Sequence, residues 1–236
     1  MKIPWIMHAA TTAHAFPLFA AAMRRQLLVP VRRWVVAWSV LYLATNIFAL
    51  ILALQSVNNH WLNYIATPVA AGLALWTLSL WQTSQVAALS LRLLVPLLGI
   101  TWVGMVVLVE DTLTFSLLAE PFAGLLVLSA AIYTLVSKVF QERGDLLRQD
   151  WLWVGLGLAV YSAAAIALPP AANWLIARHP ELVVKAYEAK ALFEIVALLA
   201  IARGVTCPIP ESRSGGFLSR ASSPSPSSSS ASSSPS

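Results

Sequence analysis

Apolar residues occur along this chain in long runs. The clearest run extends from Trp34 to Leu54, contains no charged residue and has Asn46 as its strongly polar side chain. A helix needs about 20 mainly apolar residues to cross the roughly 30 Å hydrocarbon layer of a bilayer. Seven runs come close to this length. The pattern therefore predicts seven transmembrane helices, over residues 6–23, 34–55, 61–81, 86–109, 113–137, 151–168 and 182–202.

The composition supports a membrane environment for most of the chain. Of its 236 residues, 58% are hydrophobic and 11% are charged, whereas about 25% are charged in an average soluble domain. We therefore expect an all-α fold, a polytopic membrane protein whose residues 1–205 form a single bundle of seven transmembrane helices. Residues 221–236 are Ser, Pro and Ala only. Because these residues bury little apolar area, residues 206–236 are predicted to be a disordered Ser/Pro-rich cytoplasmic tail.

The positions of the cations predict how the chain threads the membrane. Most of the fifteen Lys and Arg residues follow the odd-numbered spans or precede the even-numbered ones. Four of them lie between spans one and two, namely Arg24, Arg25, Arg32 and Arg33. By the positive-inside rule the N-terminus is outside and the C-terminus is cytoplasmic. We expect a multi-pass protein of the plasma membrane, here a bacterial inner membrane.

An alternative interpretation treats residues 1–22 as a cleaved signal peptide. The small residues at 20–22 would then form the processing site. This alternative leaves six spans and puts the four-arginine segment on the translocated side, against the orientation rule.

Tryptophan positions agree with the seven-span interpretation. Trp34, Trp38, Trp81 and Trp151 fall at the predicted cytoplasmic ends of spans, and Trp61 falls at an outer end. Amphipathic rings prefer the headgroup level of a bilayer. The sequence thus predicts an aromatic belt.

Ionisable residues inside a span are costly and need an explanation. In span seven, helical spacing puts Tyr187, Lys190 and Glu194 on one face. Lys190 and Glu194 are four residues apart, so each can neutralise the other. This pair is either a structural ion pair or part of a site for a ligand, an ion or a proton.

The other polar side chains gather in the outer half of the predicted bundle. In this orientation Asn63, Thr67, Glu120 and Glu188 lie there, whereas His14 is nearer the middle. A water-accessible cavity open to the outside would explain this asymmetry, although interhelical hydrogen bonds would explain it as well. Our candidate residues for binding a ligand or ion are Glu120, Lys190, Glu194, Glu188, Tyr187, Asn63, Thr67 and His14.

No motif for catalysis, nucleotide binding or metal binding occurs in the sequence. We assign no catalytic residue, metal site or cofactor, and an enzyme is the less favoured interpretation. The net charge of +5 is explained by membrane orientation, so no nucleic-acid partner is expected. The expected partners are the lipid bilayer and a membrane or cytoplasmic protein.

The leading hypothesis is a receptor-like or sensory seven-helix protein that binds a small ligand or partner in the outer-half cavity. The first alternative is a small-solute or proton-coupled transporter. The second alternative is a membrane-embedded lipid-modifying enzyme that uses Glu120 or Glu194 as a general acid or base.

Overall fold

The computed structural model describes residues 5–110, 116–142 and 144–208. This part of the chain is all-α. Three short 3-10 helices occur in addition to eight α-helices, which are α1 (Trp5–Ala13), α2 (Ala15–Met23), α3 (Pro30–Leu54), α4 (His60–Leu80), α5 (Gln85–Leu108), α6 (Ala119–Gln141), α7 (Asp150–Arg178) and α8 (Val183–Val205). The predicted tail lies outside the described residues from residue 209 on.

Four helices of the described chain are long and apolar enough to cross a membrane. They are Pro30–Leu54, Gln85–Leu108, Ala119–Gln141 and Asp150–Ile176. Many of their large apolar side chains point away from the protein interior, for example Val107 on α5 and Ile132 on α6. These helices are those of a protein embedded in a membrane, where lipid covers such side chains.

The helices begin at recognisable signals in the sequence. Pro30 occupies the first turn of α3, where its missing N–H is not needed. The hydroxyl of Ser84 accepts a hydrogen bond from the N–H of Ala87 at the start of α5, as an N-cap residue does.

The first predicted span is broken in the structure. The segment 6–23 forms two helices, α1 and α2, that are separated at His14. Pro17 explains the break, because its ring clashes with the carbonyl group four residues earlier, at Ala13, and it has no N–H to donate. The interruption leaves His14 at the junction of the two helices.

The sixth span is longer than predicted. The sequence suggests an outer loop over 169–181, but α7 continues past Pro169 to Arg178. Proline is tolerated in membrane helices when neighbouring groups compensate for the lost hydrogen bond. The fifth span differs in the other direction: α6 begins at Ala119, after the predicted start at 113, and residues 111–115 lie outside the described chain.

The packing centres on α4 and on the α7–α8 pair. Helix α4 contacts α3, α5 and α6, whereas α8 contacts α7, α1 and α2. The α7–α8 contact is close at Gly157, where an added Cβ would lie 2.7 Å from the carbonyl oxygen of Ala197. Glycine is needed there because any side chain would push the helices apart.

The predicted aromatic belt is wrong for three tryptophans. Trp38, Trp81 and Trp151 are buried in the core, with exposed fractions of 3%, 1% and 0%, whereas Trp34 and Trp61 are exposed as expected. Sequence position along a span gives a residue's depth in the membrane but not the direction of its side chain. These three rings therefore pack between helices and do not face the lipid.

Candidate functional site

A polar cavity of about 280 Å³ lies inside the bundle. Helices α1, α3, α4, α6, α7 and α8 form its walls. Its polar and aromatic lining residues are Thr11, His14, Trp38, Tyr42, Thr45, Asn46, Asn63, Thr67, Glu120, Tyr161, Ser162, Tyr187, Lys190 and Glu194. Six helices thus contribute to one site.

An ion pair forms one wall of the cavity. The Lys190 Nζ atom lies 3.0 Å from the Glu194 Oε1 atom, and the two residues are one helical turn apart on α8. Their side chains are 25% and 14% exposed. The predicted pair is therefore present and open to the cavity, so a solute can reach it.

Aromatic rings form another wall. The ring centroids of Trp38, Tyr42 and Tyr161 lie 4.8 to 5.3 Å apart. His14 joins this group: its Nε2 atom lies 3.5 Å from the Tyr161 hydroxyl, and its Nδ1 atom lies 3.2 Å from the carbonyl oxygen of Ala10. Because both ring nitrogens have partners, the imidazole is held in one orientation.

Several polar groups of the wall have no partner within the described chain. The side chains of Thr45, Asn46, Asn63 and Thr67 line the cavity and make no hydrogen bond to any described residue. The same holds for Ser162, which is only 5% exposed. Asn63 is exposed and Thr45, Asn46 and Thr67 are half-buried, so these groups are accessible from the cavity. Water or a polar solute in the cavity would supply the missing hydrogen bonds.

The cavity has one open and one closed end. A second cavity, of about 160 Å³, shares Asn63, Glu120, Tyr187 and Lys190 with the first and extends to Ile176 near the end of α7. At the opposite end, the lining side chains of Trp38 and Leu158 are at most 4% exposed. Fully buried Leu78 and Val154 follow along α4 and α7. The accessible side is thus the one where α4, α6 and α8 begin.

The structure brings seven of the eight candidate residues to this cavity. They are His14, Asn63, Thr67, Glu120, Tyr187, Lys190 and Glu194. Glu188 does not line the cavity. Helical geometry explains this difference, since residue 188 lies two positions from residue 190 and so points to a different side of α8.

Glu120 lies near Lys190 but forms no ion pair with it within 4 Å. Both residues line the cavity, and their charges are close enough to interact. Among the described residues, however, the acid within 4 Å of the Lys190 ammonium is Glu194. The Glu120 carboxylate therefore faces the cavity without an ion-pair partner in the described chain.

Sequence reasoning missed the aromatic wall. Position along the span predicts Trp38 in the aromatic belt and gives no role to Tyr42. A signal was available, because Trp38, Tyr42 and Thr45 follow the i, i+4, i+7 spacing of one helix face. Polar and aromatic residues on one stripe of an otherwise apolar span indicate a face turned away from lipid.

The described residues contain no group of three or more His, Cys, Asp or Glu side chains arranged to hold a metal ion. Comparisons with protein-family models, with curated proteins and with solved structures found no match for the chain. Any function must therefore be argued from the cavity itself.

Proposed function

We propose that this chain is a receptor-like or sensory protein of seven membrane spans that binds a small polar ligand in the cavity. The N-terminus is outside, the C-terminus is cytoplasmic, and the membrane is the plasma membrane of a bacterial cell. The residues that bind the ligand are drawn from the lining set, with the Lys190–Glu194 pair and Glu120 as its charged members.

The observation that carries this proposal is the polar wall, whose side chains from several helices face one shared cavity. Within the described chain, Asn46, Asn63 and Ser162 line a cavity without a hydrogen-bond partner. A bundle held together by interhelical hydrogen bonds would pair these groups with one another. Their orientation toward a shared space is typical of a binding site, where a ligand completes the hydrogen bonds.

The cavity is open at one end, and a binder needs no second opening. Here the layer beyond Trp38 contains Leu75 and Ile201, both of them fully buried. A ligand that enters and leaves at one end is suited to sensing, with the signal passed to a separate protein partner.

Ligand-dependent thermal stability of the full chain in lipid nanodiscs tests the proposal. A panel of small polar solutes is screened on the wild type and on the double variant Lys190→Met with Glu194→Leu. Because a ligand stabilises only the state that binds it, we expect at least one solute to raise the unfolding midpoint of the wild type and not that of the variant.

The matched control is Lys185→Met with Glu188→Leu. It makes the same chemical change on the same helix, at residues that do not line the cavity. This control variant should respond to solutes as the wild type does. If no solute distinguishes the wild type from the Lys190/Glu194 variant, the proposal is wrong.

A further inference from the structure

The charges of the cavity wall do not balance. Glu120 and Glu194 supply two carboxylates, and Lys190 supplies one ammonium group. Lys190 is already paired with Glu194 at 3.0 Å. When all three groups are ionised and histidine is counted as neutral, the wall carries one net negative charge. In a low-dielectric interior such a charge needs either a proton or a counter-ion, and a bound cation can supply the counter-ion.

The aromatic wall offers tyrosine side chains to the cavity. The rings of Trp38, Tyr42 and Tyr161 pack against one another at angles of 59° to 80°, and Trp38 is only 3% exposed. Tyr42 and Tyr161, which His14 also contacts, are therefore the rings that a ligand can approach. Ring faces attract cations, and quaternary ammonium groups are commonly bound by several aromatic rings together.

The remaining wall groups suit the polar end of such a ligand. Asn46 and Thr45 are on the same helix as Trp38 and Tyr42, and Ser162 is adjacent to Tyr161 on α7. Their oxygens can accept hydrogen bonds from an ammonium N–H or a ligand hydroxyl. An anion would instead meet two carboxylates with one ammonium between them, so the wall disfavours it.

We infer that the cavity binds a small organic monocation, an amine or quaternary ammonium compound. Its positive centre lies beside Glu120, which supplies the balancing charge, and the Tyr42 and Tyr161 side chains form the neighbouring wall. The volume of about 280 Å³ is just below the usual range for ligand pockets, about 300–1,000 Å³, which restricts the ligand to a small molecule. This inference rests on the proposed function and names its ligand class.

The test compares four probes of nearly equal shape on the wild-type chain in nanodiscs. They are choline, its neutral carbon analogue 3,3-dimethylbutan-1-ol, the zwitterion glycine betaine and the anion 3,3-dimethylbutanoate. Dissociation constants come from titration calorimetry. We expect choline to bind at least about tenfold more tightly than the neutral analogue, since hydrogen bonds and contacts to charged groups contribute that much or more. Equal or tighter binding of the neutral or anionic probe would overturn the inference.

Two variants test which carboxylate is responsible for choline binding. Glu120→Gln should weaken choline binding by about tenfold or more and leave the neutral analogue unaffected. Glu188→Gln makes the same change outside the cavity and should have no effect. Unchanged choline affinity in a folded Glu120→Gln protein would contradict the assignment. If that variant does not fold, the comparison of the four probes on the wild type still tests whether the ligand is a cation.

The same measurements distinguish a wrong ligand class from a cavity that binds no ligand. If a neutral or anionic solute binds and the Lys190/Glu194 variant loses that binding, the cavity is a ligand site for another class and only the cation assignment is wrong. If no solute of any charge binds, both proposals are wrong.

Discussion

Arg32 and Asp150 form a buried ion pair at the closed end of the bundle. The Arg32 Nε atom lies 3.1 Å from the Asp150 Oδ2 atom, and the side chains are 1% and 2% exposed. Arg32 Nη1 also donates a hydrogen bond to the carbonyl oxygen of Val205. The pair thus connects the first turns of α3 and α7 with the end of α8. From the sequence, Arg32 counts only as one of several loop cations.

Removing one partner of this pair should strongly destabilise the protein. Arg32→Leu leaves the Asp150 carboxylate buried without its counter-ion, and such changes cost about 3–5 kcal/mol of unfolding free energy. Chemical denaturation in detergent micelles measures the loss. The double variant Arg32→Leu with Asp150→Leu should recover part of it, because neither charge then remains buried alone.

The control is Arg148→Leu. Arg148 forms an ion pair with Asp145, and their side chains are 74% and 55% exposed. An exposed pair contributes at most about 1 kcal/mol. An equal effect of Arg32→Leu and Arg148→Leu would mean that burial of the Arg32–Asp150 pair has no energetic consequence.

At the scale of the helices, the length of an apolar run predicts where a long helix forms, but it does not predict where that helix is interrupted. The run from Trp34 to Leu54 predicted α3 to within a few residues, because an uninterrupted apolar segment in lipid must satisfy its own backbone hydrogen bonds. The break at His14 and the extension of α7 past Pro169 were both missed. The helix is interrupted near Pro17 but continues past Pro169, although both prolines lie in apolar segments. The difference depends on contacts with neighbouring helices, which the local sequence does not reveal.

Glu110 stabilises the start of α6 from the end of the preceding helix. Its carboxylate accepts hydrogen bonds from the N–H groups of Leu118 and Ala119, at 2.6 and 3.0 Å, and from the Ser116 hydroxyl. Burial of the carboxyl group works to raise its pKa, but these hydrogen bonds outweigh burial and hold the pKa below its ordinary value of 4.5. A negative charge beside the first N–H groups of a helix is favourable in itself.

Glu110→Gln should therefore cost about 0.5–2 kcal/mol at neutral pH, as the loss of a helix cap does. Since the pKa is lower in the folded chain than in the unfolded one, the stabilisation is complete above the unfolded value and is lost as the pH falls through the folded value. The wild type should lose more stability than Glu110→Gln between about pH 6 and about pH 3. Denaturation midpoints across this range measure it, with Glu188→Gln as the control. A pH dependence unchanged by Glu110→Gln would contradict the role of the carboxylate.

At the scale of the whole molecule, the sequence indicated which polar residues share a cavity but not what else surrounds them. Glu120 and Lys190 were brought into one region by span order and depth alone, since adjacent spans alternate in direction. The rotation of each helix about its axis decides which other side chains face the cavity. That rotation turns Trp38 inward and Glu188 out of the cavity, and it follows from packing contacts such as that of Gly157 with α8. Such contacts bring together residues far apart in the sequence.

The threading of the chain gives the last prediction. Helices α1 and α2 together extend about 28 Å at 1.5 Å per residue, which matches the roughly 30 Å hydrocarbon layer, so we count them as one span. Under our proposal α3 to α8 each cross as well, so we expect an odd number of spans and the two ends of the chain on opposite sides of the membrane. Epitope tags at both ends, probed by protease in intact spheroplasts, test this arrangement.

The N-terminal tag should be removed by the protease and the C-terminal tag should be protected, because the cation-rich ends of the spans remain in the cytoplasm. Lysed cells, in which both tags are cut, serve as the control for accessibility. Protection of both tags, or removal of both from intact spheroplasts, would require an even number of spans. Loss of the N-terminal tag before protease is added would instead support a cleaved segment ending near residue 22. In either case the open end of the polar cavity could no longer be assigned to the outer face, and the ligand would have to be sought on the side that the tags define.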